Sequence, residues 1–395
     1  MFKKLILIIC LSFLFFNRID SDLEVPFSGK DISLKDSEFF SIDYEKNIVS
    51  VGKEKIILET FLDTLDCNNK IFIETDFFKE TLSSYGVSYF MNKCGGSVEP
   101  NFLFVGDMMF DRGVELLMKK NDDFNYPFSK IETYLKKVDN LIGNLEGPIV
   151  SEPVFISATS MSFSFDKRVA SALKENNFNI LSLANNHTSN MNASGLIETK
   201  EYLNEKEISY FGDPVTCDAI DIAVVSGVVF YGVNKTFDFN CNNEEIIENI
   251  KKIKEEYSDK FLVVLPHFGN EYEHKASLFQ EELAHLMIDN GADLIIGGHP
   301  HVIQNVEKYK NKLIFYSLGN FIFDQYFSEE TQQGIMVGLE FVEGKEVYSI
   351  FPIKEEKAQP SLGDKSILNF LASISSSELK EEIEKGEIII YQKDQ

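Results

Sequence analysis

Two histidines separated by a single proline end a short apolar stretch of this chain. Residues 293–296 are rich in β-branched side chains and predict a buried strand. Two glycines then allow a sharp turn, and Pro300 stiffens the backbone between His299 and His301. Because residues i and i+2 of an extended segment point the same way, both imidazoles can converge on one ion. The pair predicts a site for Zn, Mn or Fe, and the alternative is two loop histidines that bind nothing.

Polar residues follow four other apolar stretches in the same way. They are Asp107 after 102–106, Asn144 and Glu146 after 141–143, Asn185, Asn186 and His187 after 180–184, and His267 with Glu271 after 262–266. Five such endings in one chain are difficult to explain by core packing alone. Together they form a mixed oxygen and nitrogen ligand set, which suits Zn, Mn or Fe better than Ca or Mg. We therefore expect one pocket that holds one or two divalent ions.

The elements that must position these side chains alternate between strand and helix from residue 101 onward. Apolar runs predict strands at 102–105, 140–143, 179–183, 261–265 and 293–296, and amphipathic spacing predicts helices at 128–138, 167–176, 194–206, 244–257 and 277–290. A hairpin is predicted at 220–233, and antiparallel strands at 313–316, 335–342 and 346–352. This order predicts a layered α/β domain whose loops gather at the carboxyl ends of its strands.

The amino terminus resembles an export signal. Lys3 and Lys4 precede a twelve-residue apolar run at 5–16, which is shorter than the ~20 residues of a membrane-spanning helix. We expect residues 1–20 to be a signal peptide or an uncleaved signal anchor. The protein is therefore predicted to be extracytoplasmic, either membrane-anchored or secreted.

The remaining segments predict three further regions. Residues 21–98 have the pattern of a small α+β appendage of unknown role, with strands at 39–43, 47–51 and 70–74 and a helix at 55–65. Residues 99–355 contain the metal-ligand candidates. Residues 356–395 are expected to be a carboxyl-terminal tail with a helix, whose acidic part at 380–385 faces solvent.

Export would place the cysteines in an oxidising compartment. Cys217 and Cys241 bracket the predicted hairpin, and a hairpin returns the chain to its starting point, which favours a disulfide between them. Cys67 and Cys94 are the other local pair. Cys10 lies in the apolar run of the predicted signal segment and is set aside. The other four cysteines allow three connectivities, and four free thiols are the alternative.

Composition excludes one class of partner. The chain carries 63 Asp and Glu against 38 Lys and Arg, for a formal net charge of −25. Nucleic-acid binding needs clustered cations, so nucleic acid is not an expected partner. The same charge disfavours broad adhesion to acidic polymers or anionic lipids, although a local basic pocket is compatible with it.

Six motifs in order resemble those of one known family. They are GDMMFDR at 106–112, GNLE at 143–146, NNH at 185–187, HFGNEY at 267–272, GHPHVIQ at 298–304 and SLGNF at 317–321. This set is similar to that of the CapA family of bacterial capsule and poly-γ-glutamate biosynthesis proteins, within the calcineurin-like metallophosphoesterase superfamily. The resemblance spans about residues 101–353. It implies a metallophosphoesterase-like β-sandwich flanked by helices.

The resemblance also implies roles for individual residues. The implied metal ligands are Asp107, Glu146 as a bridging acid, Asn186, His267, His299 and His301. His187 would contact substrate or protonate a leaving group, and Arg112 and the loop around Asn320 would hold an anionic group. Asn144, Asn185 and Glu271 are expected to support the ligands or the substrate, with Glu271 orienting a histidine.

One position departs from the superfamily pattern. The histidine usually found two residues after the first aspartate is replaced by Met109, so one ion would lack a ligand. Two functions follow: a metal-dependent hydrolase acting on a phosphoester or an anionic surface polymer, or a non-catalytic accessory or anchor protein that binds such a polymer. A polymer synthetase or export complex at the membrane is the expected protein partner.

Several other polar and aromatic residues are expected to have more ordinary roles. His274 and His285 are expected to have no functional role, and Asp111 and Asp324 to form turns. Aromatic side chains near Tyr326 are compatible with either packing or a substrate rim.

Overall fold

The computed structural model describes residues 40–43, 48–51, 54–57, 101–154, 161–217, 220–236, 241–342 and 344–391. The chain divides into two units, one comprising Met1–Leu82 and Phe90–Val98 and the other comprising Ser83–Tyr89 and Glu99–Gln395. The predicted signal segment, the predicted strand at 70–74 and both Cys67 and Cys94 lie outside the described residues.

The first unit contains an antiparallel sheet of β1 (Phe40–Asp43), β2 (Ile48–Val51) and β3 (Glu54–Ile57). The first two strands confirm the predicted ones. The helix predicted at 55–65 is wrong in its first turn, because residues 54–57 pair with β2 instead. The period of Ile57, Phe61 and Leu65 indicated a helix, but pairing with a neighbouring strand overrides so short a pattern.

The second unit is built on two sheets. Its strands are β4 (Phe102–Met108), β5 (Asn140–Leu145), β6 (Ile149–Val150), β7 (Phe165–Asp166), β8 (Phe178–Ser182), β9 (Ser209–Phe211), β10 (Ile222–Val225), β11 (Val228–Lys235), β12 (Phe261–Phe268), β13 (Leu294–Ile296), β14 (Val306–Tyr309), β15 (Lys312–Phe315), β16 (Asn320–Ile322), β17 (Gln333–Val342), β18 (Lys345–Glu356), β19 (Gln359–Leu362) and β20 (Glu387–Tyr391). The larger sheet has the order β19-β18-β17-β4-β5-β8-β9, with β16 beside β4 and β20 beside β18. The smaller sheet has the order β10-β11-β12-β13-β15-β14.

Helices occupy the connections. The α-helices are α1 (Arg112–Asn121), α2 (Glu132–Leu135), α3 (Arg168–Glu175), α4 (Asn192–Glu205), α5 (Asn243–Glu256), α6 (Leu278–Asp289), α7 (Lys365–Ile374) and α8 (Lys380–Lys385), and 3-10 turns lie at Tyr126–Phe128, Glu330–Gln332 and Ser377–Leu379. The helices predicted near 167–176, 194–206, 244–257 and 277–290 are confirmed. The one predicted at 128–138 shrinks to a 3-10 turn and α2, and α1 was not predicted. Within the described part of the chain, no helix combines the length and apolarity needed to cross a membrane.

The two sheets face each other across one apolar core. Phe104 of β4 and Phe230 of β11 lie in this core with ring centroids 6.3 Å apart, and both side chains are fully buried. On the far side of the smaller sheet, Val264 of β12 packs in a second core with Ile250 of α5 and Leu283 of α6. Burying each such side chain stabilises the fold by about 1.5–3 kcal/mol. The predicted layered sandwich flanked by helices is therefore confirmed.

The residues after 355 are part of this sandwich rather than an appendix to it. β19 and β20 both pair with β18, and Leu371 of α7 is fully buried in the core between the sheets. The acidic helix expected at 380–385 is present as α8. Its residue Ile383 nevertheless turns into the core.

Two tight hairpins decide strand directions. The predicted hairpin of β10 and β11 is confirmed, and its turn residues Ser226 and Gly227 have φ of 50° and 82°. The prediction that residues 313–316 form an antiparallel edge is only half right. β15 is antiparallel to β14 through a turn at Lys310 and Asn311, with φ of 49° and 63°, but it runs parallel to β13. Positive φ at both turn positions is the geometry that two-residue hairpins require.

The predicted disulfide between Cys217 and Cys241 is confirmed. Their Cα atoms lie 5.4 Å apart, within the range that a disulfide can span. Both cysteines are buried in the core beneath α5.

Candidate metal centre

The polar strand ends meet where the two sheets come together. In the larger sheet β4, β5 and β8 run parallel and adjacent, and in the smaller sheet β12 and β13 do the same. The carboxyl ends of both sets lie at one edge, where the His299 backbone N–H donates a hydrogen bond to Asp107 Oδ2 at 3.1 Å. Residues 192 positions apart are thereby joined. This is the edge where open α/β sheets bind ligands.

Two glycines permit this close approach. A Cβ added at Gly298 would lie 2.7 Å from Asp107 Oδ1, and one at Gly106 would lie 1.9 Å from the carbonyl oxygen of Gly319. Any larger residue at either position would push the ligand loops apart.

The carboxylate of Glu146 lies at the centre of the pocket. Its Oε1 is 3.6 Å from His301 Nε2, 3.9 Å from His187 Nε2 and 4.0 Å from His267 Nε2. These distances exceed those of hydrogen bonds. Atoms bound to one ion at about 2.0–2.2 Å lie roughly 3–4 Å from each other, so the spacing suits ligands that surround an ion.

Asp107 and His267 are held by two asparagines. Asn144 Nδ2 donates to Asp107 Oδ1 at 2.8 Å and lies 3.3 Å from His267 Nδ1. On the other side of the ring, His267 Nε2 lies 3.0 Å from Asn186 Oδ1. The structure thus brings the predicted ligands Asp107, His267 and Asn186 together, with Asn144 as their support.

The two histidines after β13 differ in their partners. His301 Nδ1 lies 3.0 Å from Asn320 Oδ1, which orients the ring so that Nε2 faces Glu146. His299 Nδ1 is buried and has no hydrogen-bond partner among the described residues. A buried imidazole nitrogen without a partner is costly unless a ligand such as a metal ion satisfies it.

Backbone strain is concentrated at the same place. His299 and His301 have φ of 96° and 57°, and Tyr272 and Arg112 have φ of 65° and 50°. None of the four lies in a two-residue hairpin turn. Non-glycine residues in this region cost of order 1–3 kcal/mol each and cluster at functional sites. The fold maintains this strain while presenting the imidazoles.

The protonation of the two acids depends on their neighbours. Burial raises the pKa of the Asp107 carboxyl, but the hydrogen bond to His301 and the charges of His267 and His301 outweigh it and hold that pKa below its ordinary value. For Glu146 burial dominates, aided by the nearby charges of Asp107 and Glu271, and its pKa rises well above the ordinary value. Two acids in one pocket therefore share negative charge unevenly.

The pKa values of the histidines in the pocket are also shifted in opposite directions. Burial lowers the pKa of His267 well below 6.5, that of His299 to about 3 and that of His187 to about 4. For His301 the opposing effects of Glu146 and Asp107 exceed the effect of burial and raise its pKa to about 9. Neutral imidazoles are the form that binds metal.

His187 stands beside the ligands in a tight turn. Its Nδ1 lies 3.1 Å from Asn190 Oδ1, and its ring packs on that of Phe163 with centroids 4.3 Å apart. The turn is held by Asn185, whose Oδ1 accepts from the N–H groups of His187 and Thr188 at 3.0 and 2.9 Å. Asn185 therefore positions His187 and contacts Asn144, and its amide groups are engaged within the protein.

Arg112 lies at the site, but its guanidinium is paired with a carboxylate of the protein itself. It forms an ion pair with Asp324, and its guanidinium lies 4.9 Å from the ring centroid of Phe163 and 5.6 Å from that of Phe323. Asp324 also accepts from the Gly113 N–H at 2.9 Å, so it does more than form a turn. Asp111 does act as a local structural residue, since it caps α1 and accepts from the Ser164 N–H.

The remaining residues singled out in the sequence also have defined contacts in the described region. His274 contacts the Ile303 carbonyl oxygen at 3.0 Å, and His285 contacts Glu307 at 2.8 Å, so both act in packing. Met109 is fully buried, and its sulfur accepts from the Asp111 N–H at 3.0 Å. The sulfur therefore stabilises the loop that precedes α1.

Two groups of three side chains have the geometry of metal ligands. One group is Asp107, Glu146 and His267, and the other is Glu271, His299 and His301, and within each group the ligand atoms lie within 4.8 Å of one another. The sequence predicted that Glu271 orients a histidine, and its carboxylate lies within 4.8 Å of ligand atoms of both His299 and His301. Carboxylate, amide and imidazole donors fit a divalent ion, and the choice among Zn, Mn and Fe stays a prediction.

Sequence reasoning considered the aromatic residues near Tyr326 as a substrate rim but missed Tyr272, Phe163 and Phe323. Tyr272 lies with its ring centroid 6.4 Å from that of His301 and 5.3 Å from that of Phe327, and Phe327 is 67% exposed. Burial and the adjacent Glu271 raise the pKa of Tyr272 to about 12, so its hydroxyl stays protonated. Its position directly after Glu271 was the available signal, whereas nothing local marked Phe163 or Phe323.

Comparisons with known proteins found a matching family model and two similar proteins. Residues 101–325 match the family model of the bacterial capsule synthesis protein PGA_cap. The chain is 30% identical over 283 residues to the capsule biosynthesis protein CapA of Bacillus anthracis, covering 65% of this chain and 67% of that protein. It is 30% identical over 309 residues to the PGA biosynthesis protein CapA of Bacillus subtilis (strain 168), covering 72% of this chain and 80% of that protein.

Solved structures are more distant. TT1561 of Thermus thermophilus matches with a TM-score of 0.34 and 11% identity, covering 68% of this chain and 99% of that one. The fold assignment therefore rests on the strand order and packing of this chain.

Proposed function

Because this chain belongs to the bacterial capsule synthesis protein family represented by PGA_cap, we propose that it serves the biosynthesis of a capsule or poly-γ-glutamate-type surface polymer by metal-dependent hydrolysis of a phosphoester. The observation that carries the hydrolase proposal is the convergence of three imidazole Nε2 atoms on Glu146 Oε1 at 3.6–4.0 Å. Of these three imidazoles, His267 and His301 belong to the ligand set with Asp107, Glu146, Asn186 and His299, and His187 lies beside it.

The chain's own residues would perform defined tasks in this reaction. Bound at this site, a divalent ion supplies charge stabilisation of a phosphoryl group and activation of water. Asn144 and Asn320 keep Asp107, His267 and His301 in position through the hydrogen bonds described above. Such supporting contacts fix ring orientation, so the ligands need no rearrangement when the ion arrives.

His187 is the candidate for proton transfer. Its lowered pKa of about 4 keeps the ring neutral at pH 7. Because Nδ1 points at the Asn190 amide oxygen, Nδ1 carries the hydrogen and Nε2 carries the lone pair that faces the pocket. Nε2 can then take up a proton and deliver it to a leaving oxygen.

The test is hydrolysis of a phosphodiester, bis(p-nitrophenyl) phosphate, by the purified protein with Mn²⁺ or Zn²⁺. We expect His187→Ala to lower the rate by roughly 10²–10⁴-fold while metal binding is retained. The matched control is His285→Ala, which removes a packing histidine and should leave the rate unchanged. Equal rates in wild type and His187→Ala would contradict the enzyme proposal.

A non-catalytic accessory protein is the second candidate. Met109 favours it, because the superfamily's histidine ligand is absent there. The exposed rings of Tyr272 and Phe327 at the pocket mouth offer a surface against which a polymer chain can pack. The net charge of −25 opposes adhesion of an acidic polymer outside the pocket. Metal-dependent binding of poly-γ-glutamate without any hydrolysis would favour this candidate over the enzyme.

We also propose that the protein is exported and works at the membrane beside a polymer synthetase or export complex. The disulfide of Cys217 and Cys241 supports this, because disulfides persist in oxidising compartments. Fractionation of cells that carry a tagged full-length chain should find it outside the cytoplasm. Deletion of residues 1–20 should retain it inside, and cytoplasmic recovery of the full-length chain would contradict export.

A further inference from the structure

The pocket contains more ligands than one ion can use. Seven side chains are positioned as candidates, namely Asp107, Glu146, Asn186, His267, Glu271, His299 and His301. A tetrahedral ion takes about four ligands and an octahedral one about six, and a catalytic ion keeps at least one position open. One ion therefore cannot bind all seven side chains.

Six of the seven form two groups of three, and His301 of the second group also lies near the first, with its Nε2 3.6 Å from Glu146 Oε1. Glu271, His299 and His301 have ligand atoms within 4.8 Å of one another, and this group shares no member with that of Asp107, Glu146 and His267. His299 Nδ1 has no partner among the described residues, although the atom is buried. That nitrogen is an independent sign that the second set binds something.

Glu271 is fixed in this position by its neighbour. The Tyr272 N–H donates to the Pro300 carbonyl oxygen at 2.8 Å, which ties the Glu271 segment to the loop between the two histidines. Tyr272 adopts a φ of 65° to make this contact. A strained residue directly after Glu271 indicates that the placement of this carboxylate is imposed by the fold.

Charge also favours two ions. Asp107, Glu146 and Glu271 bring up to three negative charges to one largely buried pocket. With all three acids ionised, one divalent ion would leave a net negative charge in low dielectric, which is costly and would repel an anionic substrate. Two divalent ions would leave a net positive charge, which attracts one.

We propose that Glu271 is a direct ligand of a second divalent ion, which it binds together with His299 and His301. This inference deepens the proposed function, since it concerns the same pocket, but it is a statement about binding that holds with or without hydrolysis.

The experiment is a metal titration of the full-length chain after removal of metal by a chelator. Mn²⁺ is added and followed by calorimetry and by electron paramagnetic resonance, in which two neighbouring ions broaden each other's signal. Wild type should bind two equivalents with a broadened signal. Glu271→Gln should bind one equivalent tightly, with the second weakened by on the order of 10²-fold and the broadening lost.

The matched control is Glu273→Gln, which neutralises an exposed acid two residues away. It should bind two equivalents like wild type. Glu271→Asp, which keeps a carboxylate on a shorter side chain, should retain the second equivalent with reduced affinity. Circular dichroism of the metal-free proteins checks that each variant is folded.

Three results would overturn the inference: one equivalent in wild type, two equivalents of unchanged affinity in Glu271→Gln, or loss of both equivalents in a folded Glu271→Gln. Phosphodiester hydrolysis is measured on the same samples. If the stoichiometry falls from two to one and no sample hydrolyses the ester, the enzyme proposal fails and the assignment of Glu271 stands.

Discussion

Two buried carboxyl groups in different regions of the sandwich behave in opposite ways. Asp107 ends a parallel strand at the candidate metal centre, and Glu355 lies on the antiparallel strand β18; their exposed fractions are 0% and 2%. Imidazoles and Asn144 hold the pKa of Asp107 below its ordinary value against the effect of burial. Burial raises the pKa of Glu355 well above its ordinary value, and a backbone N–H from Phe323 at 3.3 Å does not offset it.

The backbone around the two acids also differs. Around Asp107, non-glycine residues with positive φ present ligands, whereas near Glu355 the positive φ values of Lys357 and Ala358 belong to an ordinary two-residue turn. The region of parallel strand ends maintains strained backbone and buried charge and brings the candidate metal ligands together. The antiparallel region packs apolar side chains and gains stability. Neither burial of an acid nor the direction of its pKa shift identifies a candidate metal site, since burial raises the pKa of Glu146 as it does that of Glu355. The imidazole and amide neighbours distinguish the two regions.

The largest expected effect lies in the antiparallel region. Leu371 of α7 is fully buried between the sheets, so Leu371→Ala should lower the free energy of unfolding by about 2–5 kcal/mol. Urea denaturation measures this loss, and metal affinity of the folded protein should not change. Leu116→Ala is the matched control, because that side chain on α1 is 52% exposed and its loss should cost little. A loss as small as that of the control would mean that residues after 355 are not part of the core.

The next effect belongs to the metal centre. Four-ligand zinc sites bind with about 10–16 kcal/mol, so one ligand is worth about 3 kcal/mol. Asp107→Asn should therefore weaken binding of the ion by roughly 10²-fold in a calorimetric titration. Glu355→Gln should leave the affinity unchanged, and equal weakening by both substitutions would remove the distinction between the two regions.

A smaller effect on metal affinity is expected for a residue that contacts a ligand without contacting the ion. Asn320 Oδ1 orients His301, and the loss of such a supporting contact typically weakens metal binding by about 10–100-fold. Asn320→Ala should lie in this range without abolishing binding. Asn121→Ala removes an exposed amide at the end of α1 and serves as the control. Unchanged affinity in Asn320→Ala would show that the His301 ring needs no support.

The smallest effect is a pH dependence that comes from Glu355. Its pKa in the folded protein lies above the value of 4.5 expected when it is exposed, so above pH 4.5 the unfolded chain releases a proton that the folded protein retains. Stability is therefore lost as pH rises, by at most about 1.4 kcal/mol per pH unit for one group. Unfolding free energies of wild type and Glu355→Gln between pH 5 and 8 should diverge, with the variant less affected at high pH. Parallel curves would mean that Glu355 is ionised in the fold.

Much of the site was predictable because it depends on local pattern. Apolar runs followed by polar residues marked Asp107, Glu146, Asn186, His267 and the two histidines after β13, and parallel strands bring such ends to one edge. The hairpin before Cys241 was also predictable from local pattern. Because a hairpin returns the chain to its starting point, it also predicted the disulfide between Cys217 and Cys241. The assumption that Asp324 forms only a turn was too simple, because its partner Arg112 lies 212 residues away in the chain.

The sequence by itself determined where each strand stops and which ligand-type residue follows it, because strand period and turn chemistry act over a few neighbours. Only the tertiary structure decided that Glu271 stands with His299 and His301, that Arg112 pairs with Asp324, and that α7 fills the core between the sheets. Those contacts depend on how two sheets pack face to face, and packing joins residues that share no local pattern.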